Sequence, residues 1–394
     1  MKDFWAEGLQ NQRKGKVRKV ITLVFILLII IAIMVLIGVY FFNMEFRSWC
    51  DEKIFRKELL QEDTRYIEID GDENTQVYAY DKYICVFRKK KLEFYNKVGT
   101  KVDEIELDIN KAVFISSGRY MAICEEEGKK FYLICGKEKI FENEVEGNIT
   151  KIAVSRSGYV SVVFSNASYK SIIDVYNRSG KEIFKTNLVT ARVADVSISQ
   201  DSKYLAIAEV DISGIIISSS IQIVSMELAQ TNAKEAIIYK YEAPTDKLIM
   251  NIEYQEQNKL VCMYNDTIEV LQNKQSTEIL KLENAKLDFA TIELNNRIAL
   301  LEEVSTGEYT ADTKVRIINP ETLKEKQYIS EDVAKAVNTS ENKIAINFGT
   351  ELHIINKYGI LLKKYISEVE INNAVMAEGL IGIVYKDKIQ IINL

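Results

Sequence analysis

The amino-acid sequence predicts an all-β fold: a β-propeller of eight four-stranded blades behind one apolar helix. Three observations point to it. From about residue 72 to the C-terminus, short runs of alternating apolar and polar residues follow one another with little between them. Two turn signatures alternate along those runs roughly every 20 residues, giving a unit of about 40, the period of a propeller blade. Ahead of the runs stands Val20–Phe42, a stretch without a single charge.

A chain of 394 residues is too long for one ordinary compact core, so it holds several domains or an array of repeats. With 47% hydrophobic and 27% charged residues, the composition is globular rather than disordered. The net charge of −6 is uneven: residues 1–19 carry six basic and two acidic groups, so the remainder sums to −10. An acidic body does not attract polyanions, which argues against nucleic acid as a partner. Cys50, Cys85, Cys124, Cys135 and Cys262 show no C-x-x-C pairing. Three of them fall in apolar runs, where a free thiol behaves as a small buried hydrophobe.

Taken in order, residues 1–19 form a basic N-terminus expected on the cytoplasmic side. As a helix, the stretch 20–42 spans about 35 Å, enough to cross a lipid bilayer. Lys and Arg cluster before it, which sets the N-terminus inside. Tyr40-Phe41-Phe42-Asn43 offers no small-x-small cleavage site, so an uncleaved anchor is expected rather than a signal peptide. Residues 43–63 continue as a juxtamembrane helix with Phe46, Cys50 and Ile54 on one stripe. Such a helix either packs as a stalk or pairs in a homodimer; the stripe covers few heptads, which favours the stalk.

The extracytoplasmic propeller is expected over residues 64–394. Its clearest unit is Val193–Ser225, where Tyr204, Ala206 and Ala208 alternate with Leu205 and Ile207. The first turn signature recurs as ISSGRYMAI (115–123), VSRSGYVSV (154–162), ISQDSKYLAI (198–207) and NTSENKIAI (338–346). The second recurs as FYNKVGTKV (94–102), VYNRSGKEI (175–183), INPETLKEK (318–326) and INKYGILLK (355–363). Ser, Asn and Asp bond the local backbone there, and glycine tolerates positive φ. Seven full units follow, near 72–110, 111–148, 149–190, 191–244, 246–284, 285–332 and 333–370. The tail 371–394 supplies only three strands. The unassigned strand Arg65–Asp70 would complete that last blade and close the ring. The count falls to seven if the weak unit 246–284 merges with its neighbours.

Closure by Arg65–Asp70 has a geometric consequence. The strand begins on the rim carrying the Ser- and Asn-anchored turns, so that rim is expected to face the membrane. Two long connections, 209–220 and 302–314, rise from the opposite rim two blades apart. Function collects in long loops on rigid scaffolds. The candidate partner contacts are therefore Ile212, Ile215, Ile216 and Ile217 on the first hairpin and Glu308 and Tyr309 on the second. The isoleucine group either presents a contact or folds back onto a neighbouring blade, with folding back slightly favoured.

The turn followed by Tyr-Leu-Ala at Ser199–Ala206 resembles the blades of Tol-associated, WD40-like and quinoprotein-like propellers. Basic N-terminus, single span, short helix and irregular propeller together resemble an uncharacterised family of single-pass envelope proteins from Gram-positive anaerobes. The segments 160–183 and 193–214 carry that resemblance best. It implies a fold and a surface location, and no catalytic residues.

No motif for chemistry emerges. His353, the only histidine, alternates with Leu352 and Ile354 in an expected strand and so reads as structural, with no second His available as a metal partner. No G-x-S-x-G elbow, P-loop or dinucleotide fingerprint is present. Asp70-x-Asp72-x-Asn74 copies the start of a calcium loop but lacks the following glycine and the distal acidic ligand. Neither catalytic residue, cofactor nor metal site is expected. The sequence therefore points to a non-catalytic binding or scaffold module for an envelope protein or cell-wall ligand. The alternative is a cell-surface glycan-processing enzyme with carboxylates in the central channel.

Overall fold

The computed structural model describes residues 23–40, 46, 50, 65–70, 75–282, 287–292, 294–307, 311–340 and 342–393. The chain divides into two units, residues 1–59 and 60–394. In the first, helix α1 (Leu23–Tyr40) is long and apolar enough to cross a membrane. The basic N-terminus and the juxtamembrane helix lie outside the described residues, apart from Phe46 and Cys50.

The second unit is an eight-bladed propeller. Strand β1 (Arg65–Glu68) stands apart in sequence from its sheet. Blade 1 is β2 (Gln76–Tyr80), β3 (Tyr83–Arg88), β4 (Lys91–Tyr95) and β5 (Lys101–Glu106). Blade 2 is β6 (Ala112–Ser117), β7 (Tyr120–Glu125), β8 (Lys130–Cys135) and β9 (Glu138–Glu144). Blade 3 is β10 (Asn148–Val154), β11 (Val160–Ser165), β12 (Ser171–Tyr176) and β13 (Glu182–Leu188). Blade 4 is β14 (Ala191–Ile198), β15 (Tyr204–Asp211), β16 (Ser218–Ser225) and β17 (Ile237–Glu242), with helix α2 (Met226–Thr231) between the last two. Blade 5 is β18 (Ile249–Gln255), β19 (Lys259–Tyr264), β20 (Thr267–Gln272) and β21 (Gln275–Lys281). Blade 6 is β22 (Leu287–Thr291), β23 (Ile298–Ser305), β24 (Ala311–Ile318) and β25 (Glu325–Ser330). Blade 7 is β26 (Ala336–Ser340), β27 (Lys343–Asn347), β28 (Glu351–Asn356) and β29 (Leu361–Ile366). Blade 8 is β30 (Asn373–Ala377), β31 (Leu380–Val384), β32 (Lys388–Asn393) and, on its outer edge, β1.

Seven of the sheets are antiparallel meanders and the eighth is a three-strand meander completed by β1, so the segment 246–284 is a blade of its own and the seven-blade alternative falls. First strands of successive blades touch one another from β2 round to β18, and from β26 through β30 back to β2. That return contact closes the ring. The core lies between sheets rather than inside one. On β7, Ala122 and Cys124 pack with blade 3 residues such as Val162 and Phe164, while Met121 and Ile123 pack with blade 1 residues such as Phe87. A strand covered on both faces carries a near-continuous apolar run, which is why the middle strands read YMAIC and LAIA.

Strand β1 seals the last blade as expected. Arg65 stands opposite Ile391 and Glu68 opposite Lys388, and the Ile69 N–H continues the ladder to Asp387 O at 3.0 Å. Ile67 is buried beside Ile389 and Ile391. Arg65 also packs beside Gly99 in the β4–β5 turn, so the chain does enter the propeller on the turn rim.

That rim is built on one template. Asn96 Oδ1 accepts the N–H groups of Val98 and Thr100 at 3.0 and 3.1 Å. Asn177 and Asn356 accept the equivalent pairs in blades 3 and 7. In the other turn class Ser155 and Ser199 Oγ play the same part. The five thiols are free. Burial pushes the Cys124 thiol up to about 12, so it is a packing group rather than a nucleophile.

Candidate functional site

The expected contact residues Ile212, Ile215, Ile216 and Ile217 sit on the rim opposite the anchored turns. Strands β15 and β16 stay paired out to Asp211 and Ser218. Asp211 Oδ1 then accepts the N–H and Oγ–H of Ser213 at 2.8 and 2.7 Å, and its Oδ2 accepts Thr190 Oγ1–H at 2.9 Å. These bonds hold the loop upright. Ile215 is fully exposed at 105%, Ile216 is 64% exposed, and Ile212 and Ile217 are each 50% exposed. Folding back, the outcome slightly favoured from sequence, does not occur: the ladder runs to the loop and leaves it too short to reach a neighbouring sheet. The second hairpin stays paired to Ser305 and Ala311. Glu308 and Tyr309 lie outside the described residues, as do residues 71–74 of the calcium-like segment.

At the centre of the ring, polar side chains tie neighbouring blades together. Gln76 donates to Ala112 O and accepts Ala112 N–H, both at 2.8 Å. Asp195 accepts the Ile252 N–H at 3.1 Å, with Lys151 Nζ at 3.7 Å. Burial holds its carboxyl above the usual range despite both partners. Ser197 donates to Glu253 Oε2 at 3.1 Å and accepts the Tyr254 N–H. Asp195 and Glu253, the carboxylates a channel enzyme would need, form a seam between adjacent strands of blades 4 and 5.

A second set of polar residues recurs within the blades and was missed from sequence, except for His353. The residue two or three before the end of each third strand is Glu93, Tyr132, Asp174, Gln222, Glu269, Arg316, His353 or Gln390. Each turns to strand neighbours or an adjacent blade. Glu93 accepts Arg88 Nε–H at 2.9 Å, Lys185 Nζ donates to Asp174 at 3.2 Å, and Arg316 forks between Glu302 and Glu325 at 2.9 and 2.8 Å. His353 Nδ1 lies 2.8 Å from Tyr328 Oη and its Nε2 3.2 Å from Glu351. Aligning the eight turns would have exposed this column.

The turn rim holds a cleft of about 560 Å³ at blades 2 and 3. Four turns each bring one cation to it: Arg119 (β6–β7), Lys137 (β8–β9), Arg156 (β10–β11) and Arg178 (β12–β13). The Arg156 stem passes close over Gly118, next to Arg119. The Arg178 guanidinium lies 5.6 Å from the centre of the Tyr120 ring. That ring is wedged against Gly158, where a Cβ would come within 2.8 Å of it and φ is +83°. Lys137 pairs with Asp103 at 3.2 Å. Among the described residues, no ion pair or hydrogen bond engages the side chains of Arg119, Arg156 or Arg178. Each sits in a turn where the small or polar residues beside it, not its cation, carry the repeat, so the pattern does not single it out.

The profile of a family of unknown function, DUF5711, matches residues 61–394. The chain belongs to that family. The match covers the whole DUF5711 propeller, in keeping with the expected resemblance to an uncharacterised propeller family. No curated protein sequence matches the chain. Among solved structures, the DUF5711 propeller is similar to BamB from Moraxella catarrhalis, with a TM-score of 0.50 and 13% identity over 84% of this chain and 96% of that one. It is also similar to dihydro-heme d1 dehydrogenase NirN in complex with DHE, with a TM-score of 0.52 and 10% identity over 83% of this chain and 72% of that one. At such identities the likeness shows the fold alone.

Proposed function

We propose that this protein is a membrane-anchored, extracytoplasmic binding module whose propeller presents a hairpin to a protein partner in the cell envelope. The observation that carries this reading is the β15–β16 tip, four exposed isoleucines on a loop held by Asp211. Monomeric soluble surfaces seldom gather apolar side chains in this way without a partner. A tip of isoleucines offers no donors or acceptors to a glycan, whereas a groove on a protein would bury it. The apolar helix α1 supports an anchor in the bilayer.

Photo-crosslinkers at Ile215 and Ile217 in intact cells test it. A discrete partner should be captured, and Ile215→Asp with Ile216→Asp should abolish the capture. Unchanged co-purification after removal of residues 212–217 would sink the proposal.

A further inference from the structure

We infer that the cleft on the turn rim binds a phosphate ester, its phosphoryl oxygens held among Arg119, Arg156 and Arg178. This site is on the opposite rim from the hairpin and stands independently of the proposed partner.

Charge pairing elsewhere on the propeller makes the arginines conspicuous. Lys90 pairs with Asp108, Lys91 and Lys101 with Glu104, and Lys139 with Glu142. The two buried-side arginines, Arg88 and Arg316, are engaged by carboxylates as well. In a body whose net charge is negative, three guanidinium groups that line one cleft, none of them paired with a carboxylate, form a local positive field even with Asp103 and Glu138 on its wall. Arg156 and Arg178 directly follow the anchors Ser155 and Asn177, Arg119 follows Gly118 in its own turn, and all three line the same cleft.

The chemistry selects among anions. A guanidinium presents a planar fork of donors that matches phosphate and carboxylate oxygens bidentately. A carboxylate has two oxygens in one plane and cannot serve three forks. A phosphate ester has up to three free oxygens in a tetrahedral array and can. Lys137 is already bound to Asp103, and Glu138 lines the same wall. A long polyanion running past the arginines would meet that carboxylate, so a single phosphoryl group fits better than a charged tract. The cleft is far larger than phosphate alone, and Tyr120 and Ile140 line it, leaving room and an apolar wall for the organic part of the ester.

The site is also held in shape. Tyr120 is fixed between Gly158 and Arg178, and the Arg156 stem rests within van der Waals reach of Gly118. Preorganised donors bind without the entropy cost of ordering long side chains.

A phosphate ester could arrive as a lipid headgroup or as a soluble molecule, and the test separates these. The full chain in neutral detergent is titrated with glycerol phosphate by calorimetry, with phenylglyoxal modification of each arginine followed by mass spectrometry. Glycerol phosphate should protect Arg119, Arg156 and Arg178 together, and binding should weaken with salt. The triple variant R119A/R156A/R178A should melt like the wild type and lose at least about tenfold in affinity. The triple Arg→Lys variant, which keeps charge but not the forks, should fall between the two. Mixed micelles containing phosphatidylglycerol, compared with phosphatidylcholine, give the second arm. Protection there without free ligand assigns a headgroup, and protection by glycerol phosphate alone assigns a soluble ester. Absence of protection in both arms, or affinity unchanged in either triple variant, would overturn the inference.

Discussion

The two rims of the propeller obey different rules. On the turn rim, an asparagine or serine captures a pair of backbone N–H groups in turns of several blades. On the hairpin rim, connections range from the two-residue Lys89–Lys90 turn to the upright loop at 212–217. The first rim is a product of the repeat, and its specificity comes from what each copy adds beside the anchor. The second rim escapes the repeat, and its specificity comes from length. A propeller can thus carry two unrelated recognition surfaces without altering its core.

Changes to the shared frame should cost most. Ile67→Asp puts a charge at the buried seal between β1 and β32, and should destabilise by about 3 kcal/mol or more; a wild-type thermal midpoint would show that ring closure does not depend on β1. Next comes the column of buried polar groups. Arg316→Ala strands Glu302 and Glu325 and should cost about 3 kcal/mol, whereas Lys335→Ala, which breaks an exposed pair with Glu370, should stay within about 0.5 kcal/mol in denaturant melts. Equal effects would mean the column is no more buried than the rim.

Gly158→Ala tests the turn rim directly. The new methyl meets the Tyr120 ring at a positive φ, so a loss of about 2 kcal/mol is expected, together with altered phenylglyoxal reactivity at Arg178. His353 supplies a pH-dependent comparison. Burial, reinforced by Lys364, lowers its pKa from the ordinary 6.5, only partly offset by Glu351. The unfolded chain therefore binds the extra proton more readily. The stability this histidine contributes is complete above about 6.5 and declines as pH falls below it. Melting curves of His353→Gln between pH 7.5 and 5 should show a shallower decline than the wild type; an identical slope would place the acid sensitivity elsewhere. Least of all, Ile215→Ser and Ile216→Ser should leave the thermal midpoint unmoved, since those side chains pack on nothing; a drop would mean the hairpin tip is part of the core after all.

The frame was legible because it repeats. Eight copies of apolar middle strands, with Asn/Ser-anchored turns in several of them, average out the weakness of any one copy, and three strands at the tail demanded a fourth from upstream. The contents of the rims were less so. Whether Ile212–Ile217 would stand or fold depended on Asp211 bonding Ser213 and Thr190, a tertiary detail that apolar patterning does not encode. The arginine cleft was invisible for a related reason. Arg119, Arg156 and Arg178 are 37 and 22 residues apart in sequence, and only the angular step from blade to blade brings them together.

Borrowing β1 imposes an order on synthesis. Its partner β32 ends at Asn393, so more than three hundred residues must leave the ribosome before the N-terminal strand finds its place. Until then the first seven blades can assemble but the circle stays open, with edge strands unpaired. Loss of only a few residues from the tail would strip β1 of its ladder, so the far end of the chain acts as the latch on a structure that is otherwise finished.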